Sequence, residues 1–454
     1  MKVYLVFICL IAAAGGFLFG FDTSVISGAI EFIASPKVFH LNAVEKGWTV
    51  GCILIGCMAG CVFTAPLSQK YGRKAVLIGT AAVFLLSSLG CALAGNHLEF
   101  IIFRMLAGVA VGAASMLSPM YIAEVSPARH RGKFGILNIL AIFIGQSGAF
   151  FSNFALRDYG GADNWRWMMG VMVIPSGVLL LLLFFIPESP RWLVENRKNR
   201  AAYVILTRLS NKVTAEKELA DIEKSVHTIK GKLSELFKRR MFNLLLIGIA
   251  LAVLQQVTGI NVIMYYAPSI FKSAGFGTDS ALFQTAIMGL VNLTFAVLAM
   301  FFVDRMGRKP LMIIGSIGTG VSLLLLGITF ITNNFHGYFV LFCIMGYLAF
   351  FGFSIGPVVW VLISEIFPNS LRSHAVAICF FCLWAADFVV SFTFPYLLSH
   401  LEGYSFLIYS FLCFLCLLFV LKYITETKGK SLEQIEKELV GNEGLGKLHI
   451  KKYI

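Results

Sequence analysis

Apolar residues in this chain come in long unbroken blocks, without the alternation of a half-buried strand or the one-sided stripe of a surface helix. Twelve blocks, at about 3–28, 47–67, 75–94, 100–122, 134–156, 167–186, 241–270, 281–303, 310–332, 338–362, 375–398 and 405–423, are separated by polar stretches. Each is close to the roughly 20 residues that carry a helix across bilayer hydrocarbon. Backbone in hydrocarbon must satisfy its own hydrogen bonds, so such blocks predict helices. One polar gap is long: residues 187–240 are heavily charged, with 191–209 and 215–230 able to form surface helices. The first block resembles a secretory signal peptide, with Lys2 and small residues at Ala12–Ala14. Its apolar run continues past that point, which predicts a retained first helix.

Composition narrows the class. The 454 residues are 58% hydrophobic and 13% charged, with a mean hydropathy of +0.82. Soluble domains run near a quarter charged, and disorder needs low hydrophobicity, so both are excluded. The net charge of +13 raises nucleic acid as a partner until the charges are located. With the N-terminus inside, 31 of the 37 basic residues fall on one face and four (Lys37, Lys46, Arg157 and Lys272) on the other. That bias predicts both termini on the cytoplasmic side and no nucleic-acid partner. The ten cysteines all fall within apolar blocks, which reads as packing and not as a disulfide framework.

The chain repeats itself. Gln69-Lys70-Tyr71-Gly72-Arg73-Lys74 after the second block returns as Asp304-Arg305-Met306-Gly307-Arg308-Lys309 after the eighth. Glu124-Val125-Ser126-Pro127 with Arg131 returns as Glu365-Ile366-Phe367-Pro368 with Arg372. Pro187-Glu188-Ser189-Pro190-Arg191 returns as Thr425-Glu426-Thr427-Lys428-Gly429. The three spacings lie between 235 and 241 residues, so the chain predicts two homologous six-helix halves. The boundaries read from this are 1–186 for the first half, 187–240 for a cytoplasmic linker, 241–424 for the second half and 425–454 for a cytoplasmic tail. Two parallel six-helix repeats are the architecture of major facilitator transporters. Arg73, Glu124, Arg131, Glu188, Arg308, Glu365, Arg372 and Glu426 would form a cytoplasmic network that holds the outward-open state and breaks on inward opening. Ordinary solvated charge is the plain alternative.

Five ordered motifs sharpen the resemblance. Gly15-Gly16-Phe17-Leu18-Phe19-Gly20-Phe21-Asp22, Pro119-Met120-Tyr121-Ile122-Ala123-Glu124, Pro187-Glu188-Ser189-Pro190-Arg191, Gln255-Gln256-Val257-Thr258-Gly259-Ile260-Asn261 and Gly356-Pro357-Val358-Val359-Trp360 resemble the sugar porter family of the major facilitator superfamily. Within it the chain is most similar to bacterial proton-coupled symporters of xylose-, inositol- and galactose-type substrates. The resemblance implies an all-α fold of twelve transmembrane helices in two pseudo-symmetric halves, in the bacterial inner membrane.

Ionisable groups inside hydrocarbon are costly and therefore candidates for function. Asp22, Arg104 and Asp387 are such groups. Asp22 and Arg104 belong to one half, and a change in their separation would load or release a proton. The family's proton-coupled members carry an Asp and an Arg at the matching positions. A buried structural ion pair is the other reading. Sugar recognition needs amides, which donate and accept, and aromatic faces. Gln255, Gln256, Asn261, Asn292, Trp360 and Trp384, with Gln146 and Phe19 from the first half, match the family's sugar-binding pattern. Helix-to-helix hydrogen bonding is the alternative for the amides. Gln255 and Asn261 lie about 120° apart on a regular helix, so sharing a face needs a break, which Gly259 permits. Tyr265 and Tyr266 resemble the family's external gate or anchor an aromatic belt.

Two positions depart from the family pattern. Leu383 stands where close relatives carry Gln or Asn, and Asp387 where they carry Asn. Asp387 could accept from sugar hydroxyls, titrate as a second proton site, or bond backbone. Gly108-Val109-Ala110-Val111-Gly112 lies inside a block and reads as close helix packing. No nucleophile–base set, metal cluster or phosphate loop stands out, so neither an enzyme nor a cofactor is expected. The sequence thus predicts a transporter, monomeric, that imports a monosaccharide or polyol with a proton. Facilitated uniport, or a sugar sensor of transporter ancestry, are the competing readings.

Overall fold

The architecture is taken from a computed structural model, which describes residues 3–127, 131–226, 233–333, 335, 338–368 and 371–428. Among these, twelve helical spans are long and apolar enough to cross a membrane: Val3–Ile33, Ala43–Tyr71, Arg73–Leu93, His97–Val125, Lys133–Leu156, Gly161–Leu183, Met241–Ser273, Thr278–Val303, Arg308–Ile331, Phe339–Ile363, His374–Leu401 and Gly403–Tyr423. They are numbered spans 1–12 below. Each falls on one of the twelve apolar blocks. The ends extend past the blocks because polar first and last turns continue the helix, as where Asn42 caps span 2 in a reciprocal box with Glu45.

Three spans are interrupted near their middles, span 6 at Val171–Met172 between Asn164–Gly170 and Val173–Leu183. Span 7 is a helix from Arg239 to Val257 and another from Ile260 to Ser273, parted at Gly259 with φ +94°. That conformation favours glycine, so the break expected from Gly259 is present. Span 10 is parted at Ser354 between Phe339–Phe353 and Ile355–Glu365. Its break was not expected, although Gly356-Pro357 next to it is a fair signal.

The chain forms two compact units. The first comprises residues 1–228, 261–293 and 387–400, and the second 229–260, 294–386 and 401–454. In the first, span 1 packs on span 5 and span 2 on span 4. The 2–4 contact is close because it is glycine against backbone: a Cβ on Gly108 would overlap the Ile53 carbonyl oxygen, and one on Gly112 that of Cys57. The small-residue string in span 4 is therefore a helix seam. In the second unit span 9 packs on span 12.

The linker carries short helices at Pro190–Glu195, Asn199–Leu209 and Lys212–Val226. Leu193, Val194 and Ala202 form their core, against Trp192, Ile205, Leu219 and Ile222. The stretch expected as one helix over 191–209 breaks at Asn196–Lys198, where Arg197 has φ +60°. Most of the tail, from residue 429, lies outside the described residues.

Candidate functional site

Burial and partners sort the intramembrane polar groups. In the first unit Asp22 and Arg104 meet: Nη1 of Arg104 lies 3.4 Å from each Asp22 carboxylate oxygen and 3.3 Å from its backbone carbonyl. Arg104 is 0% exposed, and its Nε and Nη2 have no hydrogen-bond partner. Asp22 is the ion-pair partner of this buried guanidinium.

Three of the amides, Asn261, Asn292 and Gln255, turn their nitrogen toward a protein acceptor. Asn261, at the start of the second helix of span 7, donates from Nδ2 to Asp387 Oδ2 at 2.6 Å. Asp387 is 0% exposed and accepts from Ser391 Oγ at 2.9 Å through its other oxygen. Asn292 donates to Gln146 Oε1 at 3.4 Å, and its own Oδ1 is buried without a partner. In the second unit Gln255 donates to the carbonyls of Ile355 and Gly356 at 3.3 and 3.0 Å, at the break in span 10. Its Oε1 is likewise buried without a partner. Backbone carbonyls only accept, so this orientation of Gln255 follows from chemistry. Gln256 is buried, Trp384 is buried, and Trp360 packs on Phe380 with centroids 4.5 Å apart. In the first unit Phe19, Tyr265 and Tyr266 are buried, and the Tyr266 hydroxyl donates to the Ser391 carbonyl at 2.8 Å.

The charged loop motifs form two clusters of the same construction. In the first unit Arg73 binds Glu124 in a fork, Nε to Oε2 at 3.0 Å and Nη2 to Oε1 at 2.9 Å. Ser189 also donates to Glu124, and Glu195 lies 3.6 Å from Arg73. Glu188 accepts from the backbone N–H groups of Arg73, Lys74 and Ser189. It thus caps span 3, whose preceding residue Gly72 has no side chain to do so. In the second unit Arg308 binds Glu365 at 3.0 Å, Thr427 donates to Glu365 at 2.7 Å, and Glu426 accepts from the N–H groups of Arg308 and Lys309. Gly72 and Gly307 have φ of +94° and +96°. Arg372 donates to the Phe367 carbonyl, and the side chain of Arg131 lies outside the described residues.

The two capping acids differ. Glu188 is the deeper, and burial holds its carboxyl above the usual value despite the N–H groups around it. Burial also acts on Glu426, but the N–H groups of Arg308, Lys428 and Lys309 outweigh it and bring its carboxyl down.

One polar cluster escaped the sequence reading. At the end of the first unit opposite the loop motifs, Glu31 of span 1 meets Lys46 of span 2 and both Ser269 and Lys272 of span 7. Lys46 also donates to Ser269 at 3.1 Å. These residues, with Tyr266 and Phe394, line an open cleft of about 440 Å³. Near it Trp48 meets Phe388 and Phe392 edge-on, and Ser147 donates to the Gly289 carbonyl at 2.8 Å. Ser269 and Lys272 of span 7, Gly289 of span 8 and Phe388 and Phe392 of span 11 are thus fastened to spans 1, 5 and 2. The only sequence signal was an acid, Glu31, just beyond the first apolar block.

Comparison with known proteins places this arrangement. The family model described as sugar (and other) transporter matches residues 8–439. The D-xylose-proton symporter of Escherichia coli K12 is 40% identical over 471 aligned residues, covering 95% of each chain. The arabinose-proton symporter of Bacillus subtilis is 38% identical, covering 96% of this chain and 95% of that one. Among solved structures, the partially occluded inward-open conformation of the E. coli xylose transporter XylE superposes with a TM-score of 0.85 at 38% identity, covering 95% of this chain and all of that one.

Proposed function

Since the chain belongs to the sugar (and other) transporter family, we propose that it carries a monosaccharide or polyol inward with a proton, by alternating access. The buried Asp22–Arg104 pair carries this reading. Its single-nitrogen contact and idle Arg104 donors make the pair sensitive to small shifts of span 1 against span 4. A shift that draws the guanidinium away favours a proton on Asp22, and its return expels the proton. Such a cycle couples a conformational change to proton uptake and release, which a facilitator does not need.

The sugar contacts are assigned by the same reading to Phe19, Gln146, Asn261 and Asn292 in the first unit and to Gln255, Gln256, Trp360 and Trp384 in the second. Tyr265 and Tyr266, fixed on the outer helix of span 7, act as the outer gate. The moving bodies are the two six-helix halves, 1–186 and 241–424, joined by the linker 187–240. Arg73, Glu124, Arg131 and Glu188, with Arg308, Glu365, Arg372 and Glu426, hold the cytoplasmic ends of those halves. The protein acts as a monomer in the bacterial inner membrane, and the distribution of Lys and Arg supports both termini being cytoplasmic.

Proteoliposomes test the assignment. Wild type accumulates radiolabelled sugar against its gradient when the outside is acid, and Asp22→Asn loses that accumulation while retaining exchange of preloaded sugar. Uphill uptake that survives in Asp22→Asn removes Asp22 from the coupling. A wild type that equilibrates sugar without alkalinising an unbuffered suspension is a uniporter. One that binds sugar without moving it is a sensor.

A further inference from the structure

We propose that the exposed side of the linker helix Asn199–Leu209 docks the headgroup of an anionic phospholipid, in the leaflet on the linker's side of the membrane. The inference is independent of which solute the chain carries. Period and burial divide this helix in two. Ala202, Leu206 and Leu209 are buried, each about a turn from the next, and Ala202 joins the linker core. On another side Arg200, Val204 and Arg208 follow at four-residue steps and are exposed. Arg197 and Lys198, also exposed, extend the row past the start of the helix. These residues line an open cleft of about 570 Å³, whose lining holds four cations and, among the described residues, no acid.

Acids stand close by, and the fold directs them elsewhere. The next helix, Lys212–Val226, carries Glu216, Glu218, Asp221 and Glu223. Glu223 accepts from Asn199 Nδ2 at 2.6 Å, and Glu216 from the Tyr203 hydroxyl at 3.3 Å. Arg191 has Glu195 at 3.8 Å, whereas among the described residues no acid pairs with Arg197, Arg200 or Arg208. Like charges gathered in one cleft repel, and an external anion offsets that repulsion. Position selects the anion. Cys9 of span 1 meets Ser126 of the repeated loop motif at 3.6 Å, and Ser189 at the start of the linker meets Glu124 of the same motif. Span 1 therefore begins at the linker's end of the first unit, and the helix Asn199–Leu209 packs on it. Val3, Phe7 and Leu10 of that span are exposed, the outward apolar surface of a helix entering hydrocarbon. The cleft thus sits where lipid headgroups begin. Val204, 46% exposed among the cations, gains nothing from a small hydrated anion, whereas the glycerol and upper acyl chain of a lipid cover it.

Photolabelling tests the site. The full chain is placed in phosphatidylcholine nanodiscs with a trace of photoactivatable phosphatidylglycerol, and labelled peptides are read by mass spectrometry, normalised to those of the spans. Wild type is expected to label the peptide that contains Val204, with unlabelled phosphatidylglycerol competing and added phosphatidylcholine not. A cation near an anionic surface is worth roughly fivefold in affinity. Arg200→Gln with Arg208→Gln should therefore lose this label by on the order of tenfold or more. Lys212→Gln with Lys217→Gln removes the same charge from the next helix and should leave the label unchanged. Equal losses in the two pairs overturn the site, because attraction then follows net charge alone. Absence of label on the Val204 peptide in wild type overturns it too, as does equal competition by the two lipids. Displacement by millimolar inorganic phosphate makes the occupant a soluble anion and overturns the lipid assignment. Should the variant at Arg200 and Arg208 fail to reach the membrane, the wild-type competition decides on the same terms.

Discussion

A fully buried guanidinium with one bonded nitrogen is held in place almost wholly by its single acid. Removing one partner of a buried ion pair leaves an uncompensated charge, at a cost of roughly 3–5 kcal/mol. Arg104→Met is therefore expected to lower the thermal unfolding midpoint in detergent markedly, while Arg104→Met combined with Asp22→Asn recovers most of the loss. Equal melting of the single and double variants would mean that Asp22 does not feel Arg104. The pair was legible in the sequence because charge is so scarce in the spans that each instance asks for a partner. The partner of Asp387 was not legible. Its carboxylate meets Asn261, 126 residues earlier in the chain, and no spacing rule joins two positions on different helices. Of the three roles open to Asp387 from the sequence, none was the side-chain tie that the structure records.

Among the elements, span 7 shows how a local rule and a distant contact divide the work. Gly259 made the break foreseeable, and the break lets the helix Ile260–Ser273 pack separately from Arg239–Val257. What that helix packs on was hidden. Glu31 lies past the end of the first apolar block, and Lys46 and Lys272 read as isolated loop charges until folding gathers them. Glu31 is mostly buried, at 16% side-chain exposure, so its bonds are screened less than those of a surface pair. Glu31→Gln is expected to weaken the attachment of this helix selectively. Hydrogen-exchange mass spectrometry should show faster exchange of its amides, with those of Arg239–Val257 unchanged. Uniform exchange across both helices would deny the cluster that role.

Across the whole molecule, duplication in the sequence reappears as duplication in geometry. Arg73 with Glu124 and Arg308 with Glu365 form matching ion pairs, and Glu188 and Glu426 cap matching helices after matching glycines. The copies differ in burial, and their pH responses should therefore have opposite sign. Glu426 is lowered in the folded chain, so its ionised form stabilises. That contribution is present above the unfolded value of 4.5 and is lost as pH falls through the folded one. Glu188 is raised, so folding favours its proton and its ionisation destabilises as pH climbs past 4.5 and through the folded value. Thermal midpoints measured from about pH 3 to about pH 7 should show wild type gaining on Glu426→Gln as pH rises at the acid end, and losing ground to Glu188→Gln above 4.5. Parallel curves for the two comparisons would contradict the difference in burial.

The sequence by itself determined the twelve spans, the two repeats, the family and the buried groups that cannot be idle. These follow from hydrocarbon thickness, hydration cost and repeated motifs, all of which act on a residue or on a short stretch of chain. Beyond the Asp22–Arg104 pair and the arginines and acids of the repeated loops, tertiary structure decided which polar groups meet. It placed Asp387 on Asn261, gathered Glu31 with two lysines, aimed the amide of Gln255 at the break in span 10, and set the different depths of Glu188 and Glu426. Hydrogen bonds and ion pairs depend on a few ångströms between elements far apart in sequence, and only the packing of the helices fixes those distances.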